Sequence, residues 1–308
     1  MKKLHTISDD WDGTRIDRLI RVFHPELPFH VAQVLLRKGK VLLNGKKTRG
    51  NVRLSVGDTV SIDIGDNIAR DPKKPGDISA LVAQWGLVGE GIDIIFEDDE
   101  VLIINKPAGL VVHPGNLKEM GSLLDLLAVY QNQRGGDEGD EATYPFAPVH
   151  RLDAQTSGAL VIAKTRRAAR SLSRSFNRGP VEKIYIAVVE GVPSPPEGRI
   201  LTPLMVERGV RSKAVLDENG KEAITAYSLL RETAGGRALL EVRIETGRTH
   251  QIRAHLASIG NPIVGDTPYG AQQGKAERTL LHAWKIVFPH PQDGRMTEAV
   301  APVPNDMQ

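Results

Sequence analysis

A polar stretch between Gly65 and Gly91 divides this chain of 308 residues into two unequal parts. The stretch is rich in Asp, Gly, Pro and Lys, and its central run, Asp71-Pro72-Lys73-Lys74-Pro75-Gly76, favours neither helix nor strand. A chain of this length can bury a large core and still carry a second, smaller domain. We therefore predict a small domain at residues 1–66, a linker at residues 67–90 and a larger domain at residues 91–308.

The smaller part combines two predicted helices with short strands and an excess of basic residues. Residues 15–20 have helical spacing, and residues 31–39 predict a second helix that ends at a glycine. An Asn-Gly turn at Asn44 and Gly45, and the alternation over residues 56–62, predict strands. Ten basic residues and two acidic ones between Thr14 and Leu54 leave a charge of +8. This excess favours a polyanionic partner, and a solvated basic face is the simpler alternative.

The composition excludes several kinds of protein and site. Cysteine is absent, which excludes disulfides and thiolate metal sites. The first residues lack the apolar core of a signal peptide, and no segment approaches the ~20 apolar residues needed to span a bilayer. We expect a cytoplasmic protein without a membrane partner. The net charge of +2 is by itself weak evidence for any partner.

One carboxylate, Asp153, lies beside a cation in the run His150-Arg151-Leu152-Asp153-Ala154-Gln155-Thr156-Ser157-Gly158. The apolar residues 159–163 predict a buried strand, so Asp153 belongs to a loop whose position a rigid element can hold. The simpler explanation is a turn Asp that caps nearby backbone amides.

A basic helix is predicted directly after this strand, at residues 165–178, where the sequence has no acidic residue. Arg166, Arg170 and Arg174 are spaced four apart and can line one face, which suits a phosphate backbone. A solvated surface helix is the alternative.

Three further segments carry candidate site residues, each with a structural alternative. Tyr185 lies in a predicted strand at residues 183–189, where packing within a sheet is the usual role of such a residue. Arg253 follows a strand at residues 239–246 and enters a helix with the run Gly247-Arg248-Thr249-His250-Gln251-Ile252-Arg253, where a structural ion pair is the usual role. Leu281 lies in an apolar segment that core packing alone would explain.

The nine residues from His150 to Gly158 resemble the signature loop of the RluA family of pseudouridine synthases, which isomerise uridine within RNA. The segments around Tyr185, Arg253 and Leu281 resemble the later motifs of that family, in the same order. The resemblance implies that Asp153 is the nucleophile, that Arg253 pairs with it and that Tyr185 lies against the target base. It also implies that Arg151 enters the RNA stack and that Leu281 shapes the base pocket. A guanidinium beside an Asp lowers its pKa by roughly 1 to 3 units, which keeps a nucleophile ionised.

The run Arg37-Lys38-Gly39-Lys40-Val41-Leu42-Leu43-Asn44-Gly45 resembles the S4 RNA-binding domain. Together the two resemblances imply an α+β fold, in which a small N-terminal S4-like αα-β domain precedes a catalytic domain with a mixed, largely antiparallel sheet and flanking helices. They imply an RNA partner, and the enzymes most similar are of the RluC type, which modify large-subunit ribosomal RNA. Transfer RNA or another ribosomal site is the alternative substrate. A noncatalytic RNA-binding or ribosome-assembly factor is the alternative from another class, and a hydrolase ranks last because a second carboxylate is not evident.

The sequence predicts no cofactor and no metal site. It contains neither a P-loop nor a Gly-x-Gly-x-x-Gly pattern after a strand. Five helical residues separate His250 from His255, which turns their rings about 140 degrees apart and disfavours shared metal ligation. We expect the protein to be a monomer.

Overall fold

The computed structural model describes residues 2–7, 11–23, 29–64, 93–113, 122–133, 144, 146–207 and 213–308. The chain divides into two compact units, residues 1–91 with 113–146 and residues 92–112 with 147–308. The linker predicted at residues 67–90 lies outside the described residues, so the predicted domain boundaries stay predictions. No helix in the described ranges is long and apolar enough to cross a membrane.

The first unit contains short helices and a four-stranded antiparallel sheet with the order β1-β4-β2-β3. Its elements are β1 (Lys2–Thr6), α1 (Ile16–Phe23), α2 (Phe29–Arg37), β2 (Val41–Leu43), β3 (Lys46–Lys47), β4 (Thr59–Asp63) and α3 (Leu123–Gln133). The core of α1, α2 and the sheet is built from Ile16, Leu19, Ile20, Leu35, Val60 and Ile62, all essentially without exposed surface. The two helices and the strands that were predicted here are therefore confirmed.

Two turns in this unit follow from the residues that form them. Gly39 ends α2 with a φ of 67°, and the Gly39 and Lys40 amides donate to the Leu36 and Leu35 carbonyls, as in a Schellman motif. Asn44 and Gly45 both have positive φ, 48° and 78°, and join β2 to β3 in the tight hairpin that an Asn-Gly pair favours.

The second unit is built on a ten-stranded sheet. Its strands are β5 (Ile94–Glu97), β6 (Val101–Lys106), β7 (Ala147–Pro148), β8 (Ser157–Ala163), β9 (Glu182–Glu190), β10 (Glu197–Ile200), β13 (Thr225–Thr233), β14 (Arg237–Ile244), β15 (Leu281–Pro289) and β16 (Met296–Val300). The order is β10-β13-β14-β9-β15-β8-β6-β5, with β7 on β8 and β16 on β15. A separate hairpin pairs β11 (Leu204–Glu207) with β12 (Lys213–Leu216). The helices are α4 (Arg166–Arg178) and α5 (Gln251–Ser258).

The centre of this sheet is the strand β8, whose seven residues are all buried. Among the described strands, β8 and β15 form the one parallel pairing, and the other pairings are antiparallel. Gly158 is required at that pairing because a Cβ there would lie 2.2 Å from the Ala283 carbonyl oxygen, and its φ is 113°. The sheet confirms the predicted α+β fold. The loop that contains Asp153 leads directly into β8, so the buried strand fixes the position of that loop.

Candidate active site

Arg253 joins two carboxylates in the first turn of α5. Its Nε and Nη2 donate to Asp266 at 2.7 and 2.8 Å, and its Nη1 donates to Asp153 Oδ2 at 3.2 Å. Burial lowers the pKa of Arg253, but the hydrogen bonds and charge of Asp266, and then Asp153, outweigh it and raise the pKa above its usual value. Asp266 is fully buried and Asp153 keeps 19% of its side chain exposed. Arg253 therefore binds two carboxylates at once: Asp153, which is partly exposed, and Asp266, which is buried.

The loop that carries Asp153 is anchored through its backbone. The Thr156 amide donates to the Asp153 carbonyl at 3.0 Å, and the Gly109 amide donates to the Ala154 carbonyl at 2.7 Å. Lys106, without exposed surface, donates from Nζ to the same Ala154 carbonyl at 3.1 Å and to the carbonyls of Pro107 and Leu110. Burial lowers the pKa of Lys106 to about 7, with the negative charge of Asp153 opposing the shift. Residues at and just after the end of β6 thus fix the backbone next to Asp153, the candidate nucleophile.

His150 anchors the beginning of the same loop. Its Nε2 accepts the Val161 amide of β8 at 3.0 Å, and its ring stacks on Phe176 of α4 at a centroid distance of 4.9 Å. Burial, and then the charge of Lys183, lower the pKa of His150 to about 3, so the ring is neutral and its Nε2 is free to accept. His150 is therefore a structural residue.

His250 approaches Asp153 from the other side. Its backbone is left-handed, with φ of 52°, and its Nε2 lies 3.8 Å from Asp153 Oδ2. Its Nδ1 lies 3.0 Å from the hydroxyl of Tyr269, which also accepts the Ala214 amide at 2.8 Å. Burial lowers the pKa of His250 although Asp153 opposes the shift. The contact between Nδ1 and the Tyr269 hydroxyl therefore holds the His250 ring beside the Asp153 carboxylate.

Tyr269 connects these groups to the β11–β12 hairpin. Its ring lies 4.8 Å from the Arg253 guanidinium carbon and 4.9 Å from Lys213 Nζ. Its hydroxyl lies 3.1 Å from the Ala214 carbonyl, in addition to the amide of the same residue. Burial raises the pKa of Tyr269 to about 12. The ring supports Arg253 and the hydroxyl orients His250.

Tyr185 lies on β9, paired with Val242 of β14, and only 8% of its surface is exposed. Burial, and then the negative charge of Asp153, raise the pKa of Tyr185 well above its usual value. Its hydroxyl has no hydrogen-bond partner within the described ranges. The structure therefore brings Asp153 and Arg253 into contact and places Tyr185, as a neutral phenol, within the electrostatic influence of Asp153.

The other predicted site residues are placed less decisively. Arg151 is exposed and lies two residues before Asp153 in the same loop, and its charge contributes to lowering the pKa of His250. Leu281 is buried on β15 and pairs with Ala187 of β9. Its role in a base pocket stays a prediction.

The predicted basic helix forms as α4, with Thr165 as its N-cap. Arg170 and Arg174 are exposed on it and Arg166 is half-buried, so their contact with RNA stays a prediction. One arginine of the helix has an acidic partner from elsewhere in the chain, because Arg167 pairs with Glu100 at 2.5 Å.

The described residues contain no group of three or more His, Asp and Glu side chains arranged to hold a metal ion. His255 is buried and binds the Thr225 hydroxyl and the Thr202 carbonyl, both at 2.9 Å, well apart from the contacts of His250. His282 binds the Ser157 hydroxyl at 2.9 Å, and burial lowers its pKa to about 4. These histidines have structural partners.

Four residues around the site were not identified as such from the sequence: Lys106, His250, Asp266 and Tyr269, with His250 considered there only as a metal ligand. Lys106 is the last residue of a buried apolar strand. A lysine at such a position indicates a specific partner, because lysines are rarely buried without one. Asp266 and Tyr269 belong to the run Val264-Gly265-Asp266-Thr267-Pro268-Tyr269-Gly270, which indicates a tight turn and nothing about its partners. Asp266 is a second carboxylate near Asp153, but it is fully buried with both oxygens bound to Arg253, so it is not the acid or base that a hydrolase would need.

Residues 100–258 match the sequence profile of the RNA pseudouridylate synthases. The chain is 35% identical over 279 residues to an RNA pseudouridine synthase of Bacillus subtilis, YhcT, and the match covers 90% of this chain and 86% of that protein. This chain belongs to the RNA pseudouridylate synthase family. It is also 34% identical over 316 residues to ribosomal large subunit pseudouridine synthase D of Xanthomonas campestris, covering 98% of this chain and 89% of that protein.

The solved structure of human RNA pseudouridylate synthase domain containing 4 superposes on this synthase with a TM-score of 0.60 at 26% identity, over 75% of this chain and 94% of that chain. The expected membership among the pseudouridine synthases is confirmed. The protein is therefore an isomerase rather than a noncatalytic factor or a hydrolase.

The contacts of Tyr269 predict a specific defect in the synthase when its hydroxyl is removed. Tyr269→Phe keeps the ring beside Arg253 but releases His250 Nδ1 and the Ala214 backbone. We expect turnover to fall by about tenfold and the free energy of unfolding by about 1–3 kcal/mol, because buried polar groups lose their partner. Single-turnover kinetics and denaturant unfolding measure the two effects.

Tyr227→Phe is the matched control, because it removes a buried hydroxyl whose bond is to the Pro195 carbonyl at 3.3 Å. It should lower stability by about 1 kcal/mol and leave turnover unchanged. Equal turnover by both variants would contradict the role given to Tyr269.

Proposed function

We propose that this synthase isomerises uridines of large-subunit ribosomal RNA, with Asp153 as its nucleophile. The observation that carries the proposal is the placement of Asp153 in a partly exposed position, held by a guanidinium whose other edge is saturated by Asp266. Arg253 stabilises the carboxylate form of Asp153 when bound RNA excludes water. A buried carboxylate without such a partner would tend to protonate and lose its nucleophilicity.

The reaction requires three steps that these residues suit. The glycosidic bond of uridine breaks, the uracil rotates, and a carbon–carbon bond to the sugar replaces the carbon–nitrogen bond, while carbon 5 loses its proton and the freed ring nitrogen gains one. Attack by Asp153 on the sugar or on the base needs an ionised carboxylate in a set position, so both routes use the same geometry. The ring of His250, with Nε2 3.8 Å from Asp153 Oδ2, borders the carboxylate and the proposed place of the reacting uridine.

Tyr185 is proposed to hold the uracil ring. An extruded pyrimidine stacks well on an aromatic face, and the almost buried ring of Tyr185 is rigid on β9. Because its pKa is raised, the free enzyme presents a neutral phenol that can donate a hydrogen bond to the base. The exposed Arg151 enters the RNA stack in place of the extruded uridine, and Leu281 contributes to the apolar wall of the pocket.

The first unit is proposed to be an S4-like domain that binds RNA. Arg37, Lys38, Lys46, Lys47 and Arg49 are exposed at the end of α2 and around the β2–β3 hairpin. The two elements adjoin, since a Cβ at Gly39 would lie 2.8 Å from the side chain of Lys47. Arg15 and Lys40 are partly neutralised by Asp17 and Asp63. The five cations form one basic surface suited to a phosphate backbone.

The ribosomal substrate rests on similarity. The Xanthomonas relative is named for the large ribosomal subunit, and its match covers 98% of this chain. The run Arg37–Gly45 in the S4-like domain supports the RluC-type subgroup in particular. Mapping pseudouridines in cellular RNA with and without the protein identifies the target, and new sites in transfer RNA alone would overturn the ribosomal assignment.

Asp153→Asn tests the nucleophile. The amide keeps the shape of the side chain and loses its charge, so we expect turnover to fall by at least about 1,000-fold while RNA affinity stays within a few-fold. Release of tritium from RNA labelled at carbon 5 of uridine measures turnover, and filter binding measures affinity. Asp99→Asn, at an exposed turn between β5 and β6, is the control and should behave as the wild type. An active Asp153→Asn variant would exclude Asp153 as the nucleophile.

Neutralising the basic surface of the first unit tests its contact with RNA. We expect Lys46→Gln/Lys47→Gln/Arg49→Gln to weaken RNA binding and to reduce the slope of log affinity against log salt by up to about 3, because each lost phosphate contact releases one counterion fewer. The change should affect modification of full-length RNA more than turnover at saturating RNA.

The control triple, Arg231→Gln/Lys275→Gln/Arg295→Gln, removes the same charge from exposed positions of the second unit. It should leave the salt slope almost unchanged. If both triples reduce the slope equally, the basic residues of the first unit act only through the net charge of the protein and do not contact the RNA.

A further inference from the structure

Lys183 lies on β9 near the candidate active site and has no hydrogen-bond or ion-pair partner among the described residues. Side chains alternate along a strand, so Lys183 and Tyr185 of β9 are on the same face. Lys183 Nζ lies 3.9 Å from the position that a Cβ of Gly247 would occupy, at the start of the loop that leads to His250 and Arg253. Its charge also reaches His150, in the loop that carries Asp153. Lys183 is therefore beside the loop that leads to His250 and Arg253, on the same strand face as Tyr185.

The half-buried ammonium of Lys183 has no acceptor in the part of the chain that the structure describes. Burial, and then the charge of Arg248, lower the pKa of Lys183. The other buried lysines of this unit differ, because Lys106 donates to three carbonyls and Lys164 pairs with Glu97 at 2.8 Å. An unpaired cation at such a position lowers the stability of the free protein, and a bound anion would restore the lost interactions.

Arg248 is the second cation at this place. It is exposed, and its Nε donates to the Glu222 carbonyl at 2.9 Å, which orients the guanidinium. Within the described ranges its two terminal nitrogens have no acceptor. A guanidinium with a free edge beside an ammonium matches the two non-bridging oxygens of a phosphodiester.

We propose that Lys183 and Arg248 together bind a backbone phosphate of the RNA, adjacent to the uridine that is isomerised. This inference rests on the proposed active site at Asp153 and Tyr185. Two residues along a strand span about 6.6 Å, which is similar to the reach of one nucleotide from its base to its phosphate. A base held by Tyr185 therefore places its own phosphate within reach of Lys183. The pair positions the substrate, and it takes no part in bond making.

Lys183→Met tests the phosphate site because it keeps an unbranched side chain of similar length and removes the charge. We expect KM for RNA at 0.1 M salt to rise by about tenfold, the salt slope to fall by about 1, and kcat to fall much less than KM rises. The midpoint of thermal unfolding of the free enzyme should rise, because an unpaired buried charge is gone. A structural role would instead lower it.

Two further variants complete the experiment. Lys183→Arg retains the charge and should recover most of the affinity for RNA, whereas Lys275→Met, at an exposed position, should change neither KM nor the unfolding midpoint. An unchanged KM and salt slope in Lys183→Met would overturn the proposal. A large loss of kcat at saturating RNA with unchanged KM would overturn it as well, in favour of a proton-transfer role.

Asp153→Asn measured in the same assays separates this inference from the proposed function. Activity in Asp153→Asn would refute the nucleophile whatever Lys183→Met does. An inactive Asp153→Asn with a Lys183→Met variant that binds RNA normally would refute the phosphate site alone.

Discussion

The geometry of the active site depends on one guanidinium that spans two carboxylates. Arg253 is bound at two nitrogens by Asp266 and at a third by Asp153, and it is itself largely buried. Asp266 has no exposed surface, so its pairing with Arg253 compensates a charge that would otherwise be costly. Its Nη1 donates to Asp153, which of the two carboxylates is the one with exposed surface. Removing Arg253 leaves both carboxylates without their counter-ion in a confined space, whereas removing either carboxylate leaves one ion pair.

The loop of Asp153 is held from several elements at once. Lys106 and Gly109 bind the Ala154 carbonyl, and His150 ties the start of the loop to β8 and α4. Tyr269 and His250 approach from the side of α5. Such support holds Asp153 in a set position, which suits the nucleophilic role proposed for it, because the rate of such a step depends on distance and orientation. The neutral forms of His150 and Tyr185 follow from burial, so the site concentrates its charge on few groups.

Much of the local structure follows from the sequence alone. The Asn44-Gly45 hairpin, the glycine end of α2 and the buried strand after Asp153 are short-range features, and the residues that form them are adjacent. The predicted pairing of Arg253 with Asp153 came from resemblance, since 100 residues separate them. Periodicity alone gives no information on a contact of that range.

The other residues of the site could not be predicted, because they take part in tertiary contacts that the neighbouring sequence does not indicate. Asp266 and Tyr269 lie in a turn whose sequence indicates a change of direction only, and their partners come from α5 and β12. Lys106 could have been suspected from its place at the end of an apolar run. The partial neutralisation of α4 by Glu100 was also missed, because the acidic residue lies 67 positions from Arg167.

The most direct test of this account is the turnover of Arg253→Lys. Lysine keeps the positive charge but lacks the planar fork that binds Asp266 and Asp153 together. Arg278→Lys is the matched control, since Arg278 forms the same fork with Asp306, at 2.7 and 2.8 Å. We expect Arg253→Lys to lose at least about 100-fold in single-turnover rate, about 2.7 kcal/mol, with RNA affinity nearly unchanged, and Arg278→Lys to lose little. A rate for Arg253→Lys within a few-fold of the wild type would contradict the account.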